Sequence, residues 1–270
     1  MSARLFLQVM SMEARRRMSY RVDFWINAVA GFLAEFAIVY FLWKAMYAES
    51  GADVIAGFTF EQVLVYYVVA ILVGKIVRGT EFDGQPSEDI YQGGLNRYLV
   101  FPAPYFGIKY AQATGALLPA VVQAVLFGGT WWLVTGGAGM EGVTFVGCLM
   151  ALSALLLANL LYYMMAYALH CISFWADNVW SLLVALRFTT SLLGGLMVPL
   201  ALFPDGLRRV NEFLPFRNLF ALPAEAFLGR ITVDAWMEGM VVGGVWLVVV
   251  SALARVVWHR GQLQYSGIGI

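Results

Sequence analysis

Residues 143–169 read VTFVGCLMALSALLLANLLYYMMAYAL, a run without one charged side chain. As a helix rising 1.5 Å per residue it is about 40 Å long, enough to cross a hydrocarbon core of about 30 Å. Similar runs lie on both sides of it: Phe24 to Trp43, broken only by Asn27 and Glu35; Val63 to Val77, carrying Lys75; Tyr110 to Val134; Val179 to Leu202, with Arg187 inside; and Trp236 to Trp258. The sequence therefore predicts an all-α membrane protein with six transmembrane helices, over 24–47, 61–78, 107–135, 143–169, 178–202 and 234–258.

Composition agrees. Of 270 residues 61% are hydrophobic and 13% charged, against roughly 45–50% and about 25% in ordinary globular chains. A soluble domain of this size lacks the interior to hide so much apolar surface. The 17 Lys and Arg balance 17 Asp and Glu, leaving no surplus for a nucleic-acid backbone. Cys148 and Cys171 cannot form a disulfide framework; on one helix they lie about 35 Å apart, and they read as small apolar residues. Ala28-Val29-Ala30 stands at the start of an apolar run instead of after it, so no cleavable signal is expected before the first span.

Lys and Arg in the connecting segments set the orientation. One side carries Arg4, Arg15, Arg16, Arg17 and Arg21, then Lys75, Arg78, Arg97 and Lys109, then Arg255 and Arg260; the other carries Lys44, Arg208, Arg209, Arg217 and Arg230. Eleven against five places both termini in the cytoplasm of a cell whose inner membrane the chain spans. Trp43, Tyr47, Trp131 and Trp132 are expected at one membrane interface, Trp25 and Trp258 at the other.

Three polar segments have structure of their own. Residues 1–22 read as an amphipathic helix lying in the inner interface. Arg4, Gln8, Ser11 and Arg15, followed by Arg16, share one face, and Leu5, Val9 and Met12, extended by Phe6 and Met10, share the next. It serves as an anchor or also as a docking surface. Residues 79–106 form the longest cytoplasmic excursion, with Glu81, Asp83, Glu88 and Asp89 followed by Ile90-Tyr91-Gln92-Gly93-Gly94-Leu95-Asn96-Arg97-Tyr98-Leu99-Val100-Phe101-Pro102. Ser87 before acids marks a helix start and Gly93-Gly94 a break; apolar residues among charges suggest a short helix held against another protein. Residues 203–233 are too apolar for a free outer loop. Leu207, Val210 and Leu214 follow helical spacing, and Pro223 opens and Gly229 closes a further turn, so a short external re-entrant hairpin between helices 5 and 6 is expected.

This arrangement resembles the ABC-2-type permeases, the membrane subunits of ATP-binding-cassette exporters, and is closest to a branch of small permeases often paired with a second permease. The stretch Ile90–Pro102 is similar to that family's Ile, Gly, Leu, Tyr-Leu and Pro pattern leading into the third span, and Leu214-Pro215-Phe216 with Pro223 is similar to its external segment. The resemblance implies an ATP-driven exporter built from two permeases, identical or paralogous, and two nucleotide-binding ATPase subunits. It implies that Glu88, Asp89, Ile90, Tyr91, Leu95, Asn96 and Arg97 couple to the ATPase, and that Pro215, Phe216 and Pro223 belong to an external gate. The chain itself is expected to be no enzyme and to bind no cofactor, ATP and Mg belonging to the partner. A phosphate-binding loop needs Gly, four residues, then Gly-Lys-Ser/Thr; the one Gly-Lys pair, Gly74-Lys75, has Val69 for the first glycine and Ile76 for the hydroxyl.

Charges inside the spans are functional candidates because each costs a few kcal/mol or more unless paired. From the cytoplasmic end Glu35 lies about 16 Å deep and Arg187 about 12 Å, close enough to pair within or between subunits. Lys75 and Arg78 are expected to snorkel at the end of the second span. His170 to Asp177, between spans four and five, reads as a second contact to the partner; two histidines in all make a metal site improbable. Gly194-Gly195 and Gly239 with Gly243 read as helix-packing positions. An ion-coupled secondary transporter and a non-catalytic scaffold remain as alternatives, and an intramembrane hydrolase lacks its nucleophile or metal set. Purifying the chain and testing for a co-purifying ATPase separates them.

Overall fold

Three threonines begin three of the long helices at one end of the bundle. Thr59 forms a capping box with Gln62 at the start of α3 (Phe60–Arg78). Thr144 accepts the Gly147 amide (3.0 Å) at the start of α7 (Phe145–His170), and Thr232 the Ala235 amide (3.3 Å) at the start of α11 (Val233–Gln262). Each supplies an acceptor for a helix N–H that would otherwise go unpaired. The structure, a computed structural model, describes residues 1–18, 21–79 and 86–265, and the side chains of all of these but 21–24; Tyr20, Glu81 and Asp83 lie outside them.

The remaining helices are α1 (Ala3–Met18), α2 (Arg21–Ser50), α4 (Pro86–Tyr91), the single turn α5 (Asn96–Leu99), α6 (Tyr105–Thr135), α8 (Trp180–Leu193), α9 (Asp205–Glu212) and α10 (Ala221–Phe227). Helix α3 is the axis of the bundle. Val63 through Gly74 are buried without a break, because α2, α6, α7 and α10 surround it; a helix apolar on every side belongs where no side meets solvent. Trp43, expected at an interface, is 3% exposed and packs against Tyr67 (centroids 6.0 Å).

Five helices, covering 25–50, α3, α6, 145–174 and α11, are long and apolar enough to cross a membrane. The fifth expected span differs. Instead of one helix over 178–202, α8 has 14 residues and ends at Leu193, about 21 Å long. Gly195 then turns the chain at φ +85°, and residues 200–202, α9 and α10 follow. The hydroxyls of Tyr66 and Tyr67 bond the carbonyls of Gly195 (2.7 Å) and Met197 (2.9 Å). Since Tyr66 lies six residues into α3, the turn sits about 9 Å inside the bundle. Helix α10, buried at Ala221, Leu222, Pro223, Ala224 and Ala226, fills the space beyond it against α3 and α7.

Helix α1 lies along α6. The buried residues of α1 are Glu13 and Ala14, with Phe6 and Met10 half-buried beside them, while Met12 of the expected apolar stripe points outward at 72% exposure. A side chain on Gly115 would collide with the Met10 carbonyl and come within 3.0 Å of Glu13 Cβ. Gly115→Leu is therefore expected to lift α1 off α6, at about 1–3 kcal/mol, and to speed tryptic cleavage at Arg15–Arg17. An unchanged cleavage rate would show that α1 does not need this contact.

Candidate functional site

The end of the bundle opposite the three threonine caps is organised around one carboxylate. Asp89, on α4, is 6% exposed. One oxygen accepts from Arg97 (2.8 Å) and the other from the Tyr105 hydroxyl (2.8 Å), and the ammonium of Lys109 pairs with it. Lys109 is itself 4% exposed and lies over the Tyr98 ring (4.6 Å to its centroid). The Leu95 amide bonds the Asp89 carbonyl (2.8 Å), closing the chain through Gly93-Gly94 into α5. The bond to Asp89 also pushes the Arg97 guanidinium above its ordinary pKa. Buried charges persist only with such partners.

These contacts divide the expected coupling residues. Asp89, Ile90 and Leu95 are buried and hold the segment's shape; Glu88, Tyr91, Asn96 and Arg97 face outward. Next to the latter Leu99, Val100 and Phe101 are 52%, 82% and 56% exposed. The sequence reading missed Lys109 and Tyr105, which lie beyond two prolines from Asp89 and carry no spacing signal.

An aromatic chain ties this segment to two other helix ends. Tyr105 stacks on Trp258 of α11 (4.9 Å, 8°); Trp258 meets Tyr167 (5.8 Å) and Phe174 (5.5 Å); Phe106 meets Tyr167 (5.2 Å). Trp258, expected in an interfacial belt, thus sits half-buried inside this cluster. His170 Nδ1 hydrogen-bonds with Ser87 Oγ (3.0 Å), so the turn at 170–174 grips α4 directly. Glu88, Tyr91, Asp177 and Trp180 share one cleft of 330 Å³. The exposed residues of α1 include Arg4, Gln8, Arg15 and Arg16; Arg16 bonds the buried Glu13 (2.8 Å) and joins Asp89, Arg97 and Lys109 around a second cleft of 420 Å³.

Glu35 and Arg187 line one larger cleft, of 850 Å³, between α2, α3, α6 and α8. Lys75 and Arg78 line it too, and the Glu35 carboxylate acts electrostatically on Lys75. Arg78 does more than reach for an interface. Its guanidinium donates to Ser191 Oγ (2.5 Å) and the Arg187 carbonyl (3.1 Å) and lies over Phe220 (4.7 Å), clamping α3 to the end of α8.

Beyond the Gly195 turn Pro215 and Pro223 are buried and Phe216 half-buried; Trp246, thirteen residues into α11 and so about 20 Å from its capped start, donates to the Phe213 carbonyl (2.8 Å), so this step lies inside the bundle. Pro215, Phe216 and Pro223 lie within the segment that α10 anchors, beside Phe220 and Leu222, which are fully buried. Gly239 and Gly243 make room for Leu222, Asn218 and Leu157. Arg230 donates to the Gly57 carbonyl (2.7 Å) and lies over Phe58 (3.8 Å), tying the start of α11 to the turn before α3.

Long apolar helices around a buried one, with a folded charged platform at one end and an inserted helical segment, define a polytopic membrane protein. A family model described as ABC-2 family transporter protein matches residues 33–269. The chain belongs to that family and is a membrane transport component. A search of curated proteins finds no match.

Proposed function

We propose that this chain is the permease subunit of an ABC exporter, driven by ATP hydrolysis in a separate nucleotide-binding subunit that docks on residues 86–104. The observation that supports this most is the Asp89 platform. A segment fastened to the ends of three helices presents exposed Tyr91, Leu99, Val100 and Phe101. A push there reaches α6, α7 and α11 together, which a floppy loop could not transmit. In this reading the platform and both termini are cytoplasmic, as the excess of Lys and Arg supports. Helix α8 with the segment to residue 232 completes a sixth crossing, and Pro215, Phe216 and Pro223 belong to the outer gate. The pathway lies against the cleft holding Glu35 and Arg187, closed by a second permease, identical or paralogous.

The test is purification of the tagged full-length chain from its native membrane. An ABC ATPase identified by mass spectrometry and vanadate-sensitive ATP hydrolysis in the purified complex are expected. Val100→Asp with Phe101→Asp is expected to remove both, at an unchanged unfolding temperature, because these side chains touch solvent instead of core. Flux driven by a proton gradient in vesicles holding this chain alone would overturn the reading.

A further inference from the structure

We infer that the groove between α3, α6 and α7 seats one acyl chain of a membrane lipid, and that the seated chain holds α10 in place. This rests on the permease reading and adds a regulation to the gate it assigns. Helices α6 and α7 both pack on α3 but scarcely on each other, which leaves an open slot of 650 Å³ between them. Val68, Leu72 and Ala151 form its buried floor, and Val121, Val125 and Leu152 are exposed at its rim. All three walls are helices long and apolar enough to cross a membrane, so in this reading the medium at that rim is hydrocarbon.

The lining selects a hydrocarbon and its length. No charged side chain among the described residues lines the groove, and its walls are aliphatic apart from Trp132, Phe227, Met140 and Cys148. A headgroup or a polar cargo would find nothing there to satisfy its polar atoms. From Val121 to Trp132 is eleven residues, about 16 Å of α6, and half of a hydrocarbon core of about 30 Å is about 15 Å. One chain of one leaflet fits that length. A side chain on Gly139, just beyond α6, would strike Val65 near the start of α3, so exposed Trp132 stands at the mouth toward the capped end, where an indole suits the headgroup level. Two glycines keep the slot open: an added Cβ would meet nothing within 4 Å at Gly129, and only Leu72 Cδ1, at 3.7 Å, at Gly128.

Pro223 and Phe227 of α10 line the same slot. A chain lying there touches the axis helix and the gate segment together, and it loses that wall when α10 moves away. It therefore binds the arrangement with α10 inserted more tightly than one with α10 displaced, which is the condition for a ligand to bias a two-state element. With the slot empty, the groove side of α10 lacks the dispersion contacts that a chain supplies.

The experiment measures amide hydrogen exchange across α10 in the purified full-length chain, held in a steroid-based detergent that has no straight chain to enter the groove. The probes are dioleoyl phosphatidylcholine, dioleoyl phosphatidylglycerol and dihexanoyl phosphatidylcholine. Both dioleoyl lipids are expected to slow exchange in α10 about tenfold, and the dihexanoyl lipid is expected to leave it unchanged. Gly129→Leu fills the slot while improving helix propensity, and is expected to abolish the response. Gly244→Leu, at a glycine of α11 where an added Cβ also meets nothing within 4 Å, is expected to keep it. Leu152→Trp plugs the slot from α7 and keeps the test decisive if Gly129→Leu does not fold. No slowing by the dioleoyl lipids, equal slowing by the short-chain lipid, a difference between the two headgroups, or a folded plug variant that responds like wild type would each overturn the proposal. So would slow exchange in α10 when native mass spectrometry shows two protein chains and no lipid, which would give the groove to a second copy. Failure of the permease reading would show separately, as loss of ATPase association, which this assay does not involve.

Discussion

Asp89→Ala is expected to lower the unfolding temperature sharply and to open residues 86–104 to protease. The carboxylate and its Lys109 partner have side chains only 7% and 4% exposed, so removing one leaves a buried ammonium facing the rings of Tyr98 and Tyr105. Breaking a buried pair from one side costs about 3–5 kcal/mol. Arg97 loses its acceptor as well, and trypsin cleavage at Arg97 reports the release directly. Asp89→Asn keeps the shape but not the charge, and is expected to fall between Ala and wild type. Adding Lys109→Met to Asp89→Ala is expected to recover part of the loss, because no buried charge then remains. Glu88→Ala, one residue earlier and exposed, is the control and is expected to leave the unfolding temperature unchanged. If Asp89→Ala is as stable as Glu88→Ala, the carboxylate does not hold the platform. In the permease reading the Ala variant also loses ATPase association even though Asp89 touches no partner, since it positions the residues that do.

The helices that cross completely were legible because their signal is local. The uncharged run at 143–169 becomes α7 at 145–170, and the acids after Ser87 with Gly93-Gly94 become α4 and its break. Pairings set by tertiary geometry were not legible. Asp89 meets Lys109 because Pro102 and Pro104 turn the chain back onto α4, and nothing in their twenty-residue spacing encodes that. Arg78 reads as a residue that snorkels until α8 ends beside it and offers Ser191. Glu35 and Arg187 line one cleft without a described ion pair between them; helical rise sets their depths but not their partners. The fifth span failed for a different reason. Residues 194–202 are as apolar as a membrane crossing, but Gly194, Gly195, Pro199 and Leu200 are buried inside the protein, with Gly195 held by Tyr66 of α3, and composition does not distinguish the two surroundings.

The stop at Gly194-Gly195 carries the second large expectation. Gly195→Ala is predicted to destabilise the protein strongly, and Gly31→Ala to leave it neutral or slightly more stable. At Gly195 φ is +85°, where an alanine costs about 1–2 kcal/mol through its Cβ. That Cβ would also stand 2.9 Å from the Tyr66 hydroxyl, 3.1 Å from Ala221 Cβ and 3.3 Å from Leu200 Cγ, and crowding of this kind adds about 1–3 kcal/mol. The position joins three elements. Tyr66 of α3 donates to the Gly195 carbonyl (2.7 Å) and the Ala221 amide at the start of α10 to the Gly194 carbonyl (3.0 Å). Displacing the turn therefore loosens α10 from the axis helix and frees the segment assigned to the outer gate, so substrate is expected to leak through vesicles without ATP. At Gly31, inside α2, an added Cβ meets nothing within 4 Å, and alanine gains up to about 1 kcal/mol of helix propensity over glycine. Unfolding temperatures in detergent compare the two variants, and vesicle efflux reads the gate. Equal stability of the pair would mean that the backbone at 195 does not hold the left-handed turn, and the inserted segment would then have to be anchored by α10 alone.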